Sequence, residues 1–220
     1  EAEGAHLLDI NVGVPGIDEV AAMKRSLLIL DGSVKLPLMI DSDNRDVLEA
    51  ALMNCPGVPV INSINGKKKS LESVLPLVKR FGAFIVALCM DETGIHRSAE
   101  KRIGIGERML ALLEAEGIVR ERIFIDPLIL AESAEPGSAP ETLKVIRHFA
   151  SSGVKTSIGL SNISFGLPQR KFVNNAFLNM AIAEGLSAAI VNPSAARITG
   201  DAPEEERYAV DFLEGRDEKA

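Results

Sequence analysis

The sequence predicts an α/β protein built as a (β/α)8 barrel of the TIM type, and three observations lead there. Short apolar runs recur along the chain, and segments of helical period separate them. Each strand and helix pair takes about 20–40 residues, the spacing of parallel strands joined by crossover helices. No glycine-rich phosphate turn follows the first run, which favours a closed barrel over an open doubly wound sheet.

In chain order, the runs expected as buried parallel strands are HLLDINV (6–12), LPLMID (36–41), VPVIN (58–62), AFIVALCM (83–90), RIFID (122–126), KTSIGL (155–160) and AAIVN (188–192). The helical segments are IDEVAAMKRSLLIL, RDVLEAALMN, LESVLPLVKRF, AEKRIGIGERMLALLEAEG, APETLKVIRHFAS, RKFVNNAFLNMAIAEG and EEERYAVDFLEG. Seven strands are one short of a complete barrel, and the chain opens almost at once on a strand. The expectation is a single barrel domain over 1–220 that lacks its first strand and forms part of a longer protein. Its strands should then run in sequential parallel order, with those of Ile10 and Ile190 unpaired to each other.

Composition narrows the class. At 220 residues, 46% hydrophobic and 25% charged, the chain can bury one generous core. A net charge of −7, with bases interspersed among acids, argues against a nucleic-acid partner. No apolar run reaches membrane-spanning length, and EAEGAHLL has neither the basic start nor the apolar core of a secretory leader. Cys55 and Cys89 lie far apart without a CxxC or Cys/His pattern, so a cytoplasmic protein with no metal site is expected.

The strand ends carry the chemistry. Asp9 and Asn11, Asp41, Asn62, Asp126, Asn162 and Asn192 each stand on or within two residues of the end of an apolar run. In a barrel these ends open on one rim, where such folds build their sites, so the side chains should converge on one cavity. The competing reading, that Asp and Asn merely cap helices or start turns, holds for single residues better than for the set. No histidine stands at a strand end, and no serine or cysteine nucleophile has a basic partner placed by sequence. Carboxylates and amides remain, and they suit a flat heterocycle with several N–H donors and a carbonyl, such as a pterin.

DINVGVPG, MIDSDN, VINSING, FIVALCMDETGI, IFIDPLIL, GLSNISFGLPQR, FLNMAIAEGLSAAIVNP and the closing GRDE stand in this order over nearly the whole chain. Together they resemble the methyltetrahydrofolate-binding methyltransferases: the folate domain of cobalamin-dependent methionine synthase and the methyltetrahydrofolate:corrinoid methyltransferases. The resemblance implies a pterin-binding TIM barrel related to dihydropteroate synthase. It implies transfer of the N5 methyl of methyltetrahydrofolate to cobalamin carried by a corrinoid protein or a cobalamin-binding domain, and leaves a homodimer open. By the same resemblance Asp41, Asn62 and Asp126 hold the pterin ring, Asn162 stands beside N5, and Asp9 and Asn11 line the cavity wall. Asp41 and Asn162 are the implied catalytic pair. The family's first strand, a GERIN-like segment, has no counterpart before Glu1, which agrees with the strand count. Dihydropteroate synthase and a non-catalytic folate-binding module are the alternatives.

Other features carry less. Arg170, after the SFGLP loop, is a further candidate for substrate binding at the rim, or a residue that caps the region of the next helix. Lys67, Lys68 and Lys69 could meet the acidic tail of folate, though a lysine run is more often a solvated surface. GIGER (104–108) lies inside a helical pattern and is no nucleotide loop, and AESAEPGSAP (131–140) is either a lid or a connector.

Overall fold

The computed structural model describes residues 2–198 and 202–216. Strands β1 (Leu8–Asn11), β2 (Leu38–Asp41), β3 (Val60–Asn65), β4 (Phe84–Leu88), β7 (Ile123–Asp126), β8 (Lys155–Gly159) and β9 (Ala188–Ile190) form one sheet in that order. Every pairing in it is parallel. A small antiparallel hairpin, β5 (Met90–Asp91) with β6 (Gly94–Ile95), follows β4. The helices are α1 (Glu19–Leu30), α2 (Arg45–Asn54), α3 (Lys68–Phe81), α4 (Ala99–Ala115), α5 (Ser138–Ser151), α6 (Arg170–Ala183) and α7 (Glu204–Leu213). Each follows its strand as the periodicity requires. Asp18 and Asn44 start α1 and α2 by accepting from Ala21 N and Asp46 N, both at 3.0 Å.

Strand alternation sorts the core into an inside and an outside. Met39, Val60 and Val86 pack together, and Leu7, Phe84, Leu88, Phe124 and Ile190 pack against them. Leu7 beside β1 and Ile190 of β9 thus meet one interior cluster, so the sheet is curled into a barrel. The alternate residues, such as Ile10, Ile40, Ile61, Ile85 and Ile125, pack outward against the helices in the largest cluster. Ile158 does the same in a second cluster with α5, α6 and α7. No ladder joins β1 to β9 among the described residues, as the strand count anticipates.

Two strand boundaries differ from expectation. The third strand does not end at Asn62 but continues to Asn65, through a register shift between Asn62 and Ile64 against β4. Ile64 is fully buried, and its burial carries the strand past the polar Asn62 and Ser63, joined here by a cis peptide. The run 83–90 breaks at Cys89, after which the hairpin begins. The closing GRDE segment falls partly outside the described residues.

Of the two glycines of GIGER, Gly106 has a packing role. A Cβ on Gly106 would lie 2.6 Å from Phe149 Cζ and 3.0 Å from Cys89 Sγ, so α4 meets α5 and the end of β4 closely only with glycine there. Gly106→Ala should lower stability by about 1–3 kcal/mol despite alanine's better helix propensity, read as a lower Tm in thermal unfolding.

Candidate active site

The C-terminal strand ends bring most of the expected residues together. Parallel register puts Asn11 opposite Asp41 and Asp41 opposite Asn62, so three polar side chains stand in a row across β1, β2 and β3. Asn11 Nδ2 donates to Asp41 Oδ2 at 2.8 Å, while Asn11 Oδ1 accepts from Gly13 N at 2.8 Å and fixes the start of the following loop. Asp9, one inward position below Asn11, is pushed up to about 6 by burial and by the charge of Asp41, and a hydrogen bond from Asn62 pulls it back. Its Oδ1 is buried without a protein partner. That oxygen is an acceptor with an unmet hydrogen-bonding capacity.

Asp126 ends β7 opposite Leu88 of β4. Part of its surface opens to the rim, yet protein encloses it on the other sides, and burial pushes it up to about 7. The Leu128 N–H, donated to Asp126 Oδ1 at 2.7 Å, and the Arg102 guanidinium both pull it back. Leu128 has φ +62°, a left-handed conformation rare for leucine.

Asn162 stands differently from the others. It closes a 3-10 turn, Leu160–Asn162, directly after β8, and is exposed. A Cβ on Gly159 would lie 3.5 Å from Asn162 Nδ2, so the amide rests over the strand end. Arg170 holds this loop: its Nη2 donates to Ser161 O at 2.8 Å and its Nε to Ser164 Oγ at 3.0 Å. Arg170 is therefore bonded on both sides of Asn162, at the first residue of α6. The segment 131–140 braces the loop from outside, since Ser133 Oγ donates to Phe165 O at 2.6 Å and Glu132 N to Ile163 O at 3.2 Å. Glu132, buried, accepts from Ser138 Oγ and Ala139 N and anchors the start of α5.

Two candidates do other work. Asn192 is exposed, and its Oδ1 accepts from Ser194 Oγ at 2.8 Å and Ser194 N at 3.2 Å, the turn-forming role open to any strand-end Asn. Lys68 and Lys69 lie in the first turn of α3, where Lys68 pairs with Glu72 on an exposed face at 3.7 Å. Arg102 of α4 was not anticipated. It is fully buried, and it donates to Pro127 O, Leu128 O and Arg97 O and to Thr142 Oγ1. The signal lay in its phase, because Arg102 shares the buried face of α4 with Ala99, Ile105 and Met109.

The raised carboxyls make a testable statement about stability. The unfolded chain gives up the Asp126 proton near pH 3.8 and the folded chain near 7, so the native state binds the extra proton between those values and loses stability as pH rises through them. Carboxylates lowered by partners, such as Glu141 and Glu184, run the other way, so the clean readout is a difference. Relative to the parent, Asp126→Asn should gain stability from about pH 4 to about pH 7, levelling at about 2–4 kcal/mol in thermal melts.

Seven parallel strands curled into a nearly closed barrel, with Asn11, Asp41 and Asn62 in a row at the C-terminal strand ends, place the chain in the TIM-barrel class. The chain belongs to the pterin binding enzyme family, whose description "Pterin binding enzyme" matches residues 1–192. It is similar to a methionine synthase of Mycobacterium tuberculosis, 37% identical over 231 residues that cover 97% of this chain and 19% of that protein. The chain therefore spans about a fifth of that relative's length. A methylcorrinoid:tetrahydrofolate methyltransferase of Eubacterium limosum is 29% identical, with 97% of this chain and 79% of that protein covered. A solved dihydropteroate synthase of Coxiella burnetii, in complex with pteroic acid, superposes with a TM-score of 0.64 at 16% identity, covering 96% of this chain and 80% of that one. At that identity the likeness speaks for the fold. No helix among the described residues is long and apolar enough to cross a membrane.

Proposed function

We propose that this chain binds 5-methyltetrahydrofolate and transfers its N5 methyl group to cob(I)alamin carried by a corrinoid protein or a cobalamin-binding domain. The observation that carries this reading is the row Asn11, Asp41, Asn62 with the unpartnered Asp9 oxygen, facing the same rim as Asp126 and the exposed Asn162. Asp41 and Asp126 accept from the pterin N3–H and exocyclic amine, and Asn62 adds an amide to the ring edge. The names of the two sequence relatives favour methyl transfer over other pterin chemistry. A cytoplasmic setting suits its two free cysteines. We further propose that the barrel is a piece of a longer protein whose preceding segment supplies the strand between β1 and β9.

The leaving group dictates the chemistry. Breaking the N5–CH3 bond of a neutral amine would expel an amide anion, so N5 must gain a proton before or during transfer, and that proton stays on nitrogen as N5–H of tetrahydrofolate. Asn162 has no proton to give, but its Oδ1 can accept from protonated N5, a bond stronger in the transition state than with neutral substrate. Carboxylates at the ring edge add negative potential that favours the cation. The partner's cob(I)alamin supplies the nucleophile, and the open rim admits it to the methyl group.

Dihydropteroate synthase chemistry would need cations for a pyrophosphate, and Arg170, which ends the SNISFGLPQR loop, is bonded back onto Ser161 and Ser164. Incubation with labelled methyltetrahydrofolate and cob(I)alamin should move the label. Condensation of p-aminobenzoate with a pterin pyrophosphate, without label transfer, would replace this reading.

A further inference from the structure

A fully buried arginine that hydrogen-bonds no carboxylate is costly to keep, because desolvating a guanidinium is unfavourable unless its donors are all placed to advantage. Arg102 is such a residue. Its Nη1 reaches Pro127 O at 3.0 Å, Leu128 O at 2.7 Å and Thr142 Oγ1 at 3.1 Å, its Nη2 reaches Arg97 O at 3.2 Å, and its Nε has no protein partner. Half of these bonds fall on two successive carbonyls of the turn that follows Asp126.

The geometry ties the two charges through one amide. The Pro127 carbonyl and the Leu128 N–H belong to the same peptide group. Arg102 holds the oxygen end, and Asp126 Oδ1 holds the hydrogen end at 2.7 Å. A cation on the carbonyl polarises the peptide and strengthens its N–H as a donor to the carboxylate. The second carbonyl, that of Leu128, returns to the same guanidinium nitrogen, which accounts for the left-handed φ of +62° at a leucine.

We propose that Arg102 is a positioning residue of this site, fixing the Asp126 carboxylate toward the rim through the Pro127–Leu128 peptide. Any consequence for pterin binding rests on the reading of Asp126 given above, but the coupling of Arg102 to Asp126 does not. The charged and titratable groups that face Asp126 are Arg102 from α4 and the Cys89 thiol at the end of β4. Glu141 of α5 faces Arg102 in turn. Burial pushes the Cys89 thiol well up, so it stays neutral where Asp126 titrates, and Arg102 is the cation that holds Asp126 toward its ionised form.

The test is a carboxyl carbon-13 titration of Asp126, assigned by loss of its signal in Asp126→Asn, in the parent chain, Arg102→Met and Arg102→Lys. Methionine keeps much of the volume without charge, and lysine keeps the charge without the fork that spans two carbonyls. The Asp126 midpoint, near 7 in the parent, should rise by a pH unit or more in Arg102→Met and by less in Arg102→Lys. An unchanged midpoint in folded Arg102→Met overturns the proposal. Should that variant fail to fold, Arg102→Lys decides alone: a raised midpoint supports the coupling, and an unchanged one overturns it. Methyltetrahydrofolate affinity of the same proteins is read separately by calorimetry. A raised midpoint with unaltered folate affinity leaves the coupling standing and removes Asp126 from the pterin site.

Discussion

Replacing Asn162 by alanine should slow single-turnover methyl transfer roughly tenfold or more while changing methyltetrahydrofolate affinity less, the pattern of a contact that strengthens as N5 takes up its proton. The structure supports a variant that reports on chemistry and not on folding. Asn162 is exposed, at the end of a 3-10 turn whose neighbours Leu160, Ile163 and Ser164 are buried, and Arg170 bonds the loop through Ser161 and Ser164. Truncating the amide leaves those anchors in place. Rapid-mixing measurements of the rate and calorimetry of the affinity separate the two effects. Equal losses in both would make Asn162 a residue that only positions the ring. In the parent, the single-turnover rate should rise as pH falls toward the pKa of bound N5, and a flat profile would remove protonation from the rate-limiting step.

The second large effect is at Asp126. Asp126→Asn turns one accepting oxygen into a donor facing donors, and folate binding should weaken by about 1–3 kcal/mol, roughly 5- to 150-fold. The same substitution should stabilise the ligand-free fold above neutral pH, as derived from its raised titration. Opposite signs for binding and stability are the mark of a residue kept for function at a cost to the fold. A variant that loses both, or neither, would place Asp126 among ordinary structural carboxylates.

The rim row was legible because a parallel strand buries both faces, so a polar residue at the end of an apolar run has no structural reason to be there. Asp41 after LPLMI and Asp126 after RIFI carry that signal, and the register sets Asn11, Asp41 and Asn62 side by side. Asn192 carries the same signal and answers to turn formation, which single residues cannot distinguish from a site. Arg102 was hidden for the opposite reason: within AEKRIGIGER it looks like one more helix-surface charge, and only its phase relative to Ile105 and Met109 marks the buried face. The bracing of Asn162 by 131–140 was not legible at all. It depends on contacts such as Ser133 to Phe165, 32 residues apart, which no local pattern encodes.

The central claim is that a pterin ring lies on the strand-end row with N5 turned to Asn162, and a crystal structure with methyltetrahydrofolate bound tests it most directly. The ring's N–H edge should lie on Asp41, Asn62 and Asp126, with the methyl group facing the open rim beside Asn162. A pterin seated instead in the cleft of about 430 Å³ lined by Lys171, Asn175, Arg197 and Glu206 would contradict it.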